Sequence, residues 1–420
     1  MTLSFRLLAT TALVATLAAP ALAHEVVLRG RLVFGDHQDA TLRILDLDSG
    51  KVTHSFDLPQ PNPSLDTTAD GRFVVVKVGD EAGTVRLFDS GLLREPHGDH
   101  VDIDKIDPGF VDLTLTGDKP AHVLSGHGWL SVFFDGQRPW VRPSEARADL
   151  IPIASLEAGK PERLSWKSPA PQHGVAVPLG DDRWFLSTPN PAYAKGDDKS
   201  ASSRPDSFDL VDAKDGWKAL ETYDCPLMHG HAELGGAHAF GCADGITLLK
   251  AEASGAWKAE RLAYPDDRAS SAITASGDVM VANYGRSGSP YTAFLRIDPA
   301  AAALKGDDVF DIPDGQQVCQ FALASDGRTL VHLAGDGKLR LYEVTPAWKE
   351  VARFDAVAPF DCAFGAPTPT PRLALSGTSA FVTDPAGGKI HEFYLATGKQ
   401  GLSFDVGGAP STIAGGPSGG

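Results

Sequence analysis

The fold is indicated most clearly by the stretch Phe321-Ala-Leu-Ala-Ser-Asp-Gly-Arg-Thr-Leu-Val-His-Leu-Ala-Gly-Asp-Gly-Lys-Leu-Arg-Leu-Tyr342. Apolar residues alternate with other residues in three short segments, and an Asp-Gly pair separates each segment from the next. Asp-Gly supplies the positive φ angles that tight hairpin turns need, so the stretch predicts three antiparallel strands. The same cadence recurs at residues 32–47, 68–89, 175–186, 274–283 and 372–395.

The spacing of these units predicts a ring of similar sheets. The predicted innermost strands begin near residues 63, 121, 172, 229, 271, 318 and 361, and another covers Pro410-Ser-Thr-Ile413. Repeats of about 40–50 residues with four short strands each are typical of β-propeller blades. The last strand would complete a first blade that residues 31–58 begin. We therefore predict an all-β protein, a β-propeller with eight blades, with seven blades as the alternative.

The remaining segments define the predicted domain boundaries. Residues 1–23 have the pattern of a signal peptide: Arg6 precedes the apolar run from Leu7 to Leu17, and Ala21-Leu22-Ala23 fits a cleavage site. We predict a single propeller domain over residues 24–413, with a His- and Asp-rich insertion at 92–119. Residues 414–420 are predicted to be a flexible, Gly-rich tail. Cleavage of the signal peptide would export the protein, and we expect a bacterial periplasm.

Composition and charge exclude several classes of function. The chain carries 38 Lys and Arg against 54 Asp and Glu, a net charge of -16, which disfavours a nucleic-acid partner and favours cations. No later stretch approaches 18 apolar residues, so we predict no membrane insertion. Gly-x-Ser-x-Gly, a phosphate-binding loop and His-Glu-x-x-His are all absent from the sequence. We expect a monomer without enzymatic activity.

The four cysteines favour disulfide bonds, because an even number in an exported chain is typical of cross-linked proteins. The sequence offers two local pairs, Cys225 with Cys242 and Cys319 with Cys362. Cys319 and Cys362 fall at matching positions of neighbouring predicted blades, which suggests a bond between those blades. No pair has the Cys-x-x-Cys spacing of a structural zinc site.

Histidines occupy corresponding positions in three successive predicted blades. Pro120-Ala-His122, Pro171-Gln-His173 and Pro226-Leu-Met-His229 each open an innermost strand. Innermost strands line the channel of a propeller, so the three imidazoles are predicted to converge at one mouth of it. His231 would share the strand face of His229 and supply an additional ligand. His127 lies in a predicted hairpin turn, Gly126-His-Gly128, and is a further candidate, although it could point to the other end of the strand.

A second candidate site lies in the segment Glu95-Pro-His97-Gly-Asp99-His100-Val-Asp-Ile-Asp104. His97, Asp99 and His100 offer two imidazoles and one carboxylate within four residues, and Gly98 allows the backbone to fold them together. Imidazole and carboxylate ligands suit tetrahedral zinc, but they would also bind copper or nickel, so ligand type alone does not select zinc. The alternative interpretation is that these histidines have no metal-binding role and only hydrogen-bond the backbone or lie in a solvated loop.

Four motifs together resemble a known family, the AztD-type periplasmic zinc metallochaperones. The motifs are His97-Gly-Asp-His100-Val-Asp, Lys119-Pro-Ala-His122-Val-Leu, Gly126-His-Gly-Trp-Leu-Ser-Val-Phe-Phe-Asp-Gly136 and Gln172-His-Gly-Val-Ala-Val177. The resemblance, which covers nearly the whole mature chain, implies a β-propeller that binds zinc and delivers it to the solute-binding protein of a zinc ABC transporter. It implies that His97, Asp99 and His100 form a mobile transfer loop, and that His122, His173 and His229 form a tighter site.

One departure and two alternatives qualify this resemblance. The mature N-terminus, His24-Glu-Val-Val, carries no His-rich tail, so only the loop at 92–107 could act as a flexible arm. The first alternative is a metal-dependent propeller enzyme of the periplasm, such as a lactonase-like hydrolase, although such enzymes usually hold calcium through carboxylates. The second is an interaction scaffold whose histidines are structural.

Overall fold

The protein is a ring of eight sheets in the computed structural model, which describes residues 28–97, 100–286, 288–363, 365–366 and 368–415. In this part of the chain, eight antiparallel sheets have four strands each, and a two-stranded hairpin is inserted in one of them. The predicted eight-bladed β-propeller is therefore confirmed. The predicted signal peptide, residues 1–23, lies outside the described residues. None of the described helices is long and apolar enough to cross a bilayer.

The first four blades contain the two short helices. Blade 1 begins with β1 (Arg31–Asp36), β2 (Thr41–Asp46) and β3 (Lys51–Asp57). Blade 2 contains β4 (Ser64–Thr67), β5 (Phe73–Lys77), β6 (Val85–Asp89), the inserted hairpin β7 (Leu92–His97) and β8 (His100–Lys105), and β9 (Gly109–Leu115). Blade 3 contains β10 (Pro120–Gly126), β11 (Trp129–Phe134), β12 (Arg147–Pro152), α1 (Ile153–Glu157) and β13 (Leu164–Lys167). Blade 4 contains β14 (Ala176–Pro178), β15 (Arg183–Thr188), α2 (Pro191–Lys195), β16 (Ser207–Asp212) and β17 (Lys218–Asp224).

The last four blades are more regular. Blade 5 contains β18 (His231–Leu234), β19 (Ala237–Cys242), β20 (Gly245–Ala251) and β21 (Trp257–Ala263). Blade 6 contains β22 (Ile273–Ser276), β23 (Val279–Tyr284), β24 (Ala293–Ile297) and β25 (Val309–Asp311), with 3₁₀ turns at Gly306–Asp308 and Pro313–Gly315. Blade 7 contains β26 (Val318–Leu323), β27 (Thr329–Ala334), β28 (Lys338–Glu343) and β29 (Lys349–Asp355). Blade 8 contains β30 (Leu373–Ser376), β31 (Ser379–Asp384), β32 (Lys389–Tyr394) and β33 (Lys399–Asp405).

The last strand closes the ring, as the sequence predicted. β34 (Pro410–Gly415) pairs antiparallel with β1 and becomes the innermost strand of blade 1. The buried Asp36 carboxylate at the end of β1 strengthens the closure, since it accepts a hydrogen bond from the Ala409 backbone and pairs with Arg43 at 2.5 Å. β34 extends to Gly415, so two residues that we assigned to the tail belong to the blade.

One predicted strand start was wrong. The innermost strand of blade 8 begins at Leu373, whereas we predicted a start near residue 361. The sequence between these points contains Pro367, Pro369 and Pro371. Proline has no amide hydrogen to donate to a sheet, so this segment cannot pair as a strand and forms a connection instead.

The hydrophobic core lies between the blades. Eight clusters of buried side chains occur among the described residues, and each draws on two neighbouring blades. Between blades 2 and 3, for example, Phe73 and Val85 pack with Leu130 and Phe134. Each blade therefore buries both of its faces only when the ring is complete, which explains why a single blade would not be stable alone.

The innermost strands position the functional residues. They are the first strands of blades 2 to 8 together with β34, and neighbouring ones lie against each other, as β10 does against β14 and β18 against β22. All of them run in the same direction along the channel. We call the face of the ring where these strands begin the top face, and the face where they end the bottom face.

Both predicted disulfide pairs are present. Cys225 follows β17 and is bonded to Cys242 at the end of β19, so this bond joins blades 4 and 5. Cys319 in β26 is bonded to Cys362, which lies in the connection between blades 7 and 8. The first bond links two neighbouring blades, whereas the second links blade 7 to the connection that leads to blade 8, so Cys362 is not at the strand position of blade 8 that matches Cys319.

A buried histidine in blade 7 should make stability depend on pH. His332 in β27 is fully buried, and burial lowers its pKa to about 4. In the unfolded chain the histidine pKa is about 6.5, so the unfolded state binds more protons than the folded state below that pH. The folded protein is therefore stabilised relative to the unfolded chain most fully above about pH 6.5, and this stabilisation is lost as the pH falls toward 4. When the pH is lowered from 7 to 5, the unfolding free energy of His332→Leu should fall by about 2 kcal/mol less than that of the wild type.

Urea denaturation of both proteins at pH 7 and pH 5 would measure this difference. Replacement of His54 by leucine is a matched control, because that side chain is only half-buried and lies on the outer strand β3. An equal loss of stability for wild type and His332→Leu would contradict the expected result.

Candidate metal centre

Three histidines from three successive blades meet at the top face. His122 lies near the beginning of β10 in blade 3, where a bulge interrupts the pairing with β11. His173 and His229 lie in the segments just before β14 in blade 4 and β18 in blade 5. We call these three residues the top-face site. The sequence placed the three at corresponding positions, and the structure brings their rings together.

The spacing of the three rings suits one metal ion. The Nε2 atom of His173 lies 3.1 Å from that of His122 and 3.2 Å from that of His229. One ring nitrogen from each residue lies within 4.8 Å of the other two. Nitrogen ligands at about 2.0–2.1 Å from a tetrahedral zinc ion are about 3.3 Å apart. The observed separations therefore leave room for a small ion bound by all three residues.

The outer nitrogens of two rings are held by hydrogen bonds. His229 donates its Nδ1 proton to the backbone carbonyl of Ser271 at 2.5 Å, since a carbonyl can only accept. His173 Nδ1 lies 2.7 Å from Oδ2 of Asp135, and an ionised carboxylate likewise can only accept. Such partners fix the tautomer and the orientation of a metal-binding imidazole. When such a ring is neutral, its Nε2 atom carries a lone pair and no proton.

This arrangement favours a cation. The Nε2 atoms of His173 and His229 face each other at 3.2 Å, and when both rings are neutral with Nδ1 protonated, neither has a proton to place between them. His122 can donate a proton to only one of them. A metal ion between the three nitrogens would turn this unfavourable contact into two coordinate bonds.

Burial keeps the site ready to bind a metal. It lowers the pKa of His122 well below the usual value, and His173, His229 and Lys77 lower it further. Burial, with Arg204 nearby, lowers the pKa of His229 to about 4. Since only the neutral imidazole binds a metal, these two ligands need not lose a proton at pH 7.

Charges around the site are partly compensated. Burial raises the pKa of Asp135, and the hydrogen bond with His173 opposes this effect. Lys77 forms an ion pair with Asp66 at 2.9 Å and donates a hydrogen bond to the carbonyl of Ala121. Asp135 therefore supplies negative charge behind the ligand His173, while the charge of Lys77 is balanced by Asp66.

Two loops hold the ligand segments of blades 4 and 5. The backbone amide of His173 donates to the carbonyl of Ser203, in the long connection that follows β15. Pro205 at the end of this connection is buried, and its carbonyl accepts a hydrogen bond from the Met228 amide. His229 is held by its amide, which donates to the carbonyl of Gly241, next to the disulfide-bonded Cys242.

The site remains accessible from solvent. The side chain of His173 is 27% exposed, and the other two histidines are half-buried. Three protein ligands leave the fourth position of a tetrahedral ion free for water or for a ligand of another molecule. A closed structural site would instead supply all four ligands from the chain.

Two other predicted ligands lie elsewhere. His127 follows the end of β10, about 16 Å from His122 at the beginning of that strand, and so lies at the bottom face. His231 begins β18 but is not part of the group that His122, His173 and His229 form. His231 was expected on the same face as His229, and this was wrong. Gly230 between them has a φ of 84°, so the alternation of a regular strand does not apply. His231 instead lies 3.1 Å from Nδ1 of His238.

The hairpin that carries the predicted loop site leaves its blade at the bottom face. His97 and His100 are paired across β7 and β8, and Asp99 lies outside the described residues. The hairpin leaves blade 2 between β6 and β9, at the bottom face, where the end of β6 pairs with the beginning of β5. The base of the hairpin and the top-face site are therefore at opposite faces of the ring.

The residues that support the top-face site carry little signal in the sequence. Asp135 ends the segment Trp129-Leu-Ser-Val-Phe-Phe134 and precedes Gly136, so it reads as an ordinary turn residue. Ser271 takes part through its backbone carbonyl, which no side-chain pattern can reveal. The position of Asp135 directly after β11, beside the strand that carries His122, was the one signal available.

Fold and site together define a β-propeller with a candidate metal centre at one mouth of its channel. In comparisons with known proteins, the chain is 29% identical over 401 residues to the zinc chaperone AztD of Citrobacter koseri, with 94% of this chain and 88% of that protein covered. It is also similar to the structure of apo AztD from Citrobacter koseri, with a TM-score of 0.76 and 26% identity over 93% of this chain and 98% of that one. A second crystal structure of Citrobacter koseri AztD gives a TM-score of 0.77 with 26% identity, covering 91% and 96% of the two chains. No family model matches the chain. The resemblance to AztD-type proteins is thus confirmed in both sequence and fold.

Proposed function

We propose that this protein is a periplasmic zinc metallochaperone that binds zinc through His122, His173 and His229. The observation that carries the proposal is the convergence of three Nε2 atoms, with that of His173 3.1 Å from His122 and 3.2 Å from His229, while Asp135 and Ser271 hold the far sides of the His173 and His229 rings. The similarity to a zinc chaperone over nearly the whole chain selects zinc among the metals that imidazole ligands accept.

The open fourth position is the feature that suits a chaperone. A partner can add a ligand to the ion before the first histidine leaves, so that zinc passes between proteins without becoming free. We propose that the partner is the solute-binding protein of a zinc ABC transporter, and that His97, Asp99 and His100 form a loop that takes part in acquiring or transferring zinc. The net charge of -16 would concentrate cations near the protein.

The proposed location and maturation follow from the sequence and the disulfides. Two disulfide bonds are typical of proteins in oxidising compartments such as the periplasm. We propose that the signal peptide 1–23 is removed and that residues 24–413 act as a monomeric, non-enzymatic carrier.

Metal analysis of the mature protein, purified from periplasm without a His tag, is the direct test. We expect bound zinc, or zinc regained after chelation, with a higher melting temperature for the zinc form. Zinc-loaded protein should then fill an apo solute-binding protein in the presence of a chelator that captures free zinc. Failure to regain zinc would refute the proposal, and interception of all zinc by the chelator would refute direct transfer.

One observation also supports an alternative, a zinc-dependent hydrolase. Three histidines with an open fourth position can bind a water molecule and lower its pKa, which is the arrangement of catalytic zinc sites. Turnover of a panel of lactones and esters by the zinc-loaded protein, lost on replacement of His173, would favour this alternative. Absence of turnover with zinc bound would favour the carrier.

A further inference from the structure

A second group of potential ligands lies at the bottom face. His127 is in the turn that joins β10 to β11, Glu233 is in β18, and His238 is in β19. One ligand atom from each lies within 4.8 Å of the other two. Blade 4 lies between blades 3 and 5, and its innermost strand β14 is only three residues long. The turn that carries His127 therefore packs against Gly180 of blade 4 and reaches Glu233 of blade 5.

His238 has the orientation of a preorganised ligand. Its side chain is 1% exposed and packs edge-on against Phe185 and Trp257. Its Nδ1 atom lies 3.1 Å from Nε2 of His231, which fixes the ring as outer partners of metal-binding histidines do. The Nε2 atom of His238 is directed at Glu233, whose nearer oxygen lies 3.9 Å away. This separation is too long for a hydrogen bond, but it is close to that between two ligands of one ion.

His127 approaches the same carboxylate from the other side. Its Nε2 atom lies 3.0 and 3.1 Å from the two oxygens of Glu233. The backbone of His127 has a φ of 50°, the left-handed region in which glycine or asparagine would be less strained. Such strain concentrates at functional positions. Glycine or asparagine could have formed this turn with less backbone strain. The chain instead has a histidine there, and its imidazole is directed at Glu233.

We propose that His127, Glu233 and His238 bind a second divalent transition-metal ion of the zinc type, with His231 orienting His238. Two imidazoles and one carboxylate are a common ligand set for zinc with an open fourth position. The side chains of His127 and Glu233 are 38% and 30% exposed, so this site is more open to solvent than the top-face site and should exchange its ion faster. The proposal goes beyond the proposed function and does not depend on the top-face site.

Zinc stoichiometry of single variants tests the two sites separately. We expect wild-type protein to bind two zinc ions per chain, and Glu233→Gln and His173→Ala to bind one each. Removal of an outer-shell partner costs 10–100-fold in metal affinity, so loss of the ligand Glu233 should weaken the bottom-face site by at least about 100-fold. The affinity of the top-face site should stay within about twofold in Glu233→Gln.

Matched controls and a spectroscopic readout complete the experiment. Glu145→Gln makes the same chemical change at an exposed ion pair with Lys167 and should leave both sites intact. His127→Asn keeps a residue that tolerates the left-handed turn, so it tests the ligand with little change in folding. Cobalt bound to the His173→Ala variant should give the absorption bands of a tetrahedral site. Adding Glu233→Gln to the same variant should remove these bands.

Each outcome decides the proposal. Two zinc ions retained by Glu233→Gln, or a single wild-type zinc ion that His173→Ala abolishes, would overturn it. A wild type with one zinc ion that Glu233→Gln removes and His173→Ala retains would support the bottom-face site and refute the top-face site. Circular dichroism and melting temperature of each variant would confirm that the propeller is folded.

Discussion

Replacing His173 by alanine should lower the affinity of the top-face site for zinc by at least about 1,000-fold, because removal of a ligand costs more than the 10–100-fold of an outer partner. His173 is the central ligand, with its Nε2 atom 3.1 and 3.2 Å from those of the other two histidines. Without His173, only the Nε2 atoms of His122 and His229 would remain to bind the ion. The carboxylate of Asp135, which contacts the His173 ring, would no longer act on the ion through a ligand. Two remaining imidazoles cannot hold zinc against a competing chelator of nanomolar affinity.

Competition titration with a chromophoric chelator would measure this loss. His54→Ala is the control, since this histidine lies on the outer strand β3 and hydrogen-bonds only its neighbour Thr53 among the described contacts. His54→Ala should bind zinc as the wild type does. Tight binding retained at the top-face site in His173→Ala would show that another ligand set holds the ion there.

Asp-Gly turns and alternating apolar residues made the fold predictable. Each hairpin of the stretch 321–342 is specified locally, so its three strands could be placed from sequence alone. Ring closure by Pro410–Gly415 was also predictable, because a blade begun by three strands needs a fourth. The start of blade 8 was misplaced by about a dozen residues, because regular spacing was assumed across a segment in which proline prevents strand pairing.

The candidate sites were less predictable, because they depend on which end of a strand a residue occupies. His122, His173 and His229 could be related by their positions before innermost strands. The positive φ of Gly230, which turns His231 away from His229, has no clear signal in the sequence beyond the glycine itself. Glu233 and His238 were absent from the predicted ligands, since their approach to His127 depends on the short strand β14 of the intervening blade.

The disulfide between Cys225 and Cys242 should contribute to both stability and zinc affinity. It closes a loop of 17 residues, and such a cross-link stabilises a protein by about 3 kcal/mol in the chain-entropy account. The loop contains His229, whose amide is bonded to the carbonyl of Gly241 beside Cys242. Replacing both cysteines by alanine should therefore lower the unfolding free energy by about 3 kcal/mol and weaken zinc binding at the top-face site by about tenfold.

The other disulfide provides a matched control. Cys319 and Cys362 are 43 residues apart and join blade 7 to the connection that leads to blade 8, whereas the three histidines belong to blades 3, 4 and 5. Their replacement by alanine should cost about 4 kcal/mol of stability and leave zinc affinity within about twofold of wild type. Urea denaturation and chelator competition on both variants would separate the two effects. Equal losses of zinc affinity would mean that the bonds act through the stability of the whole ring, whereas a loss confined to the Cys225 and Cys242 variant would mean that this bond positions His229.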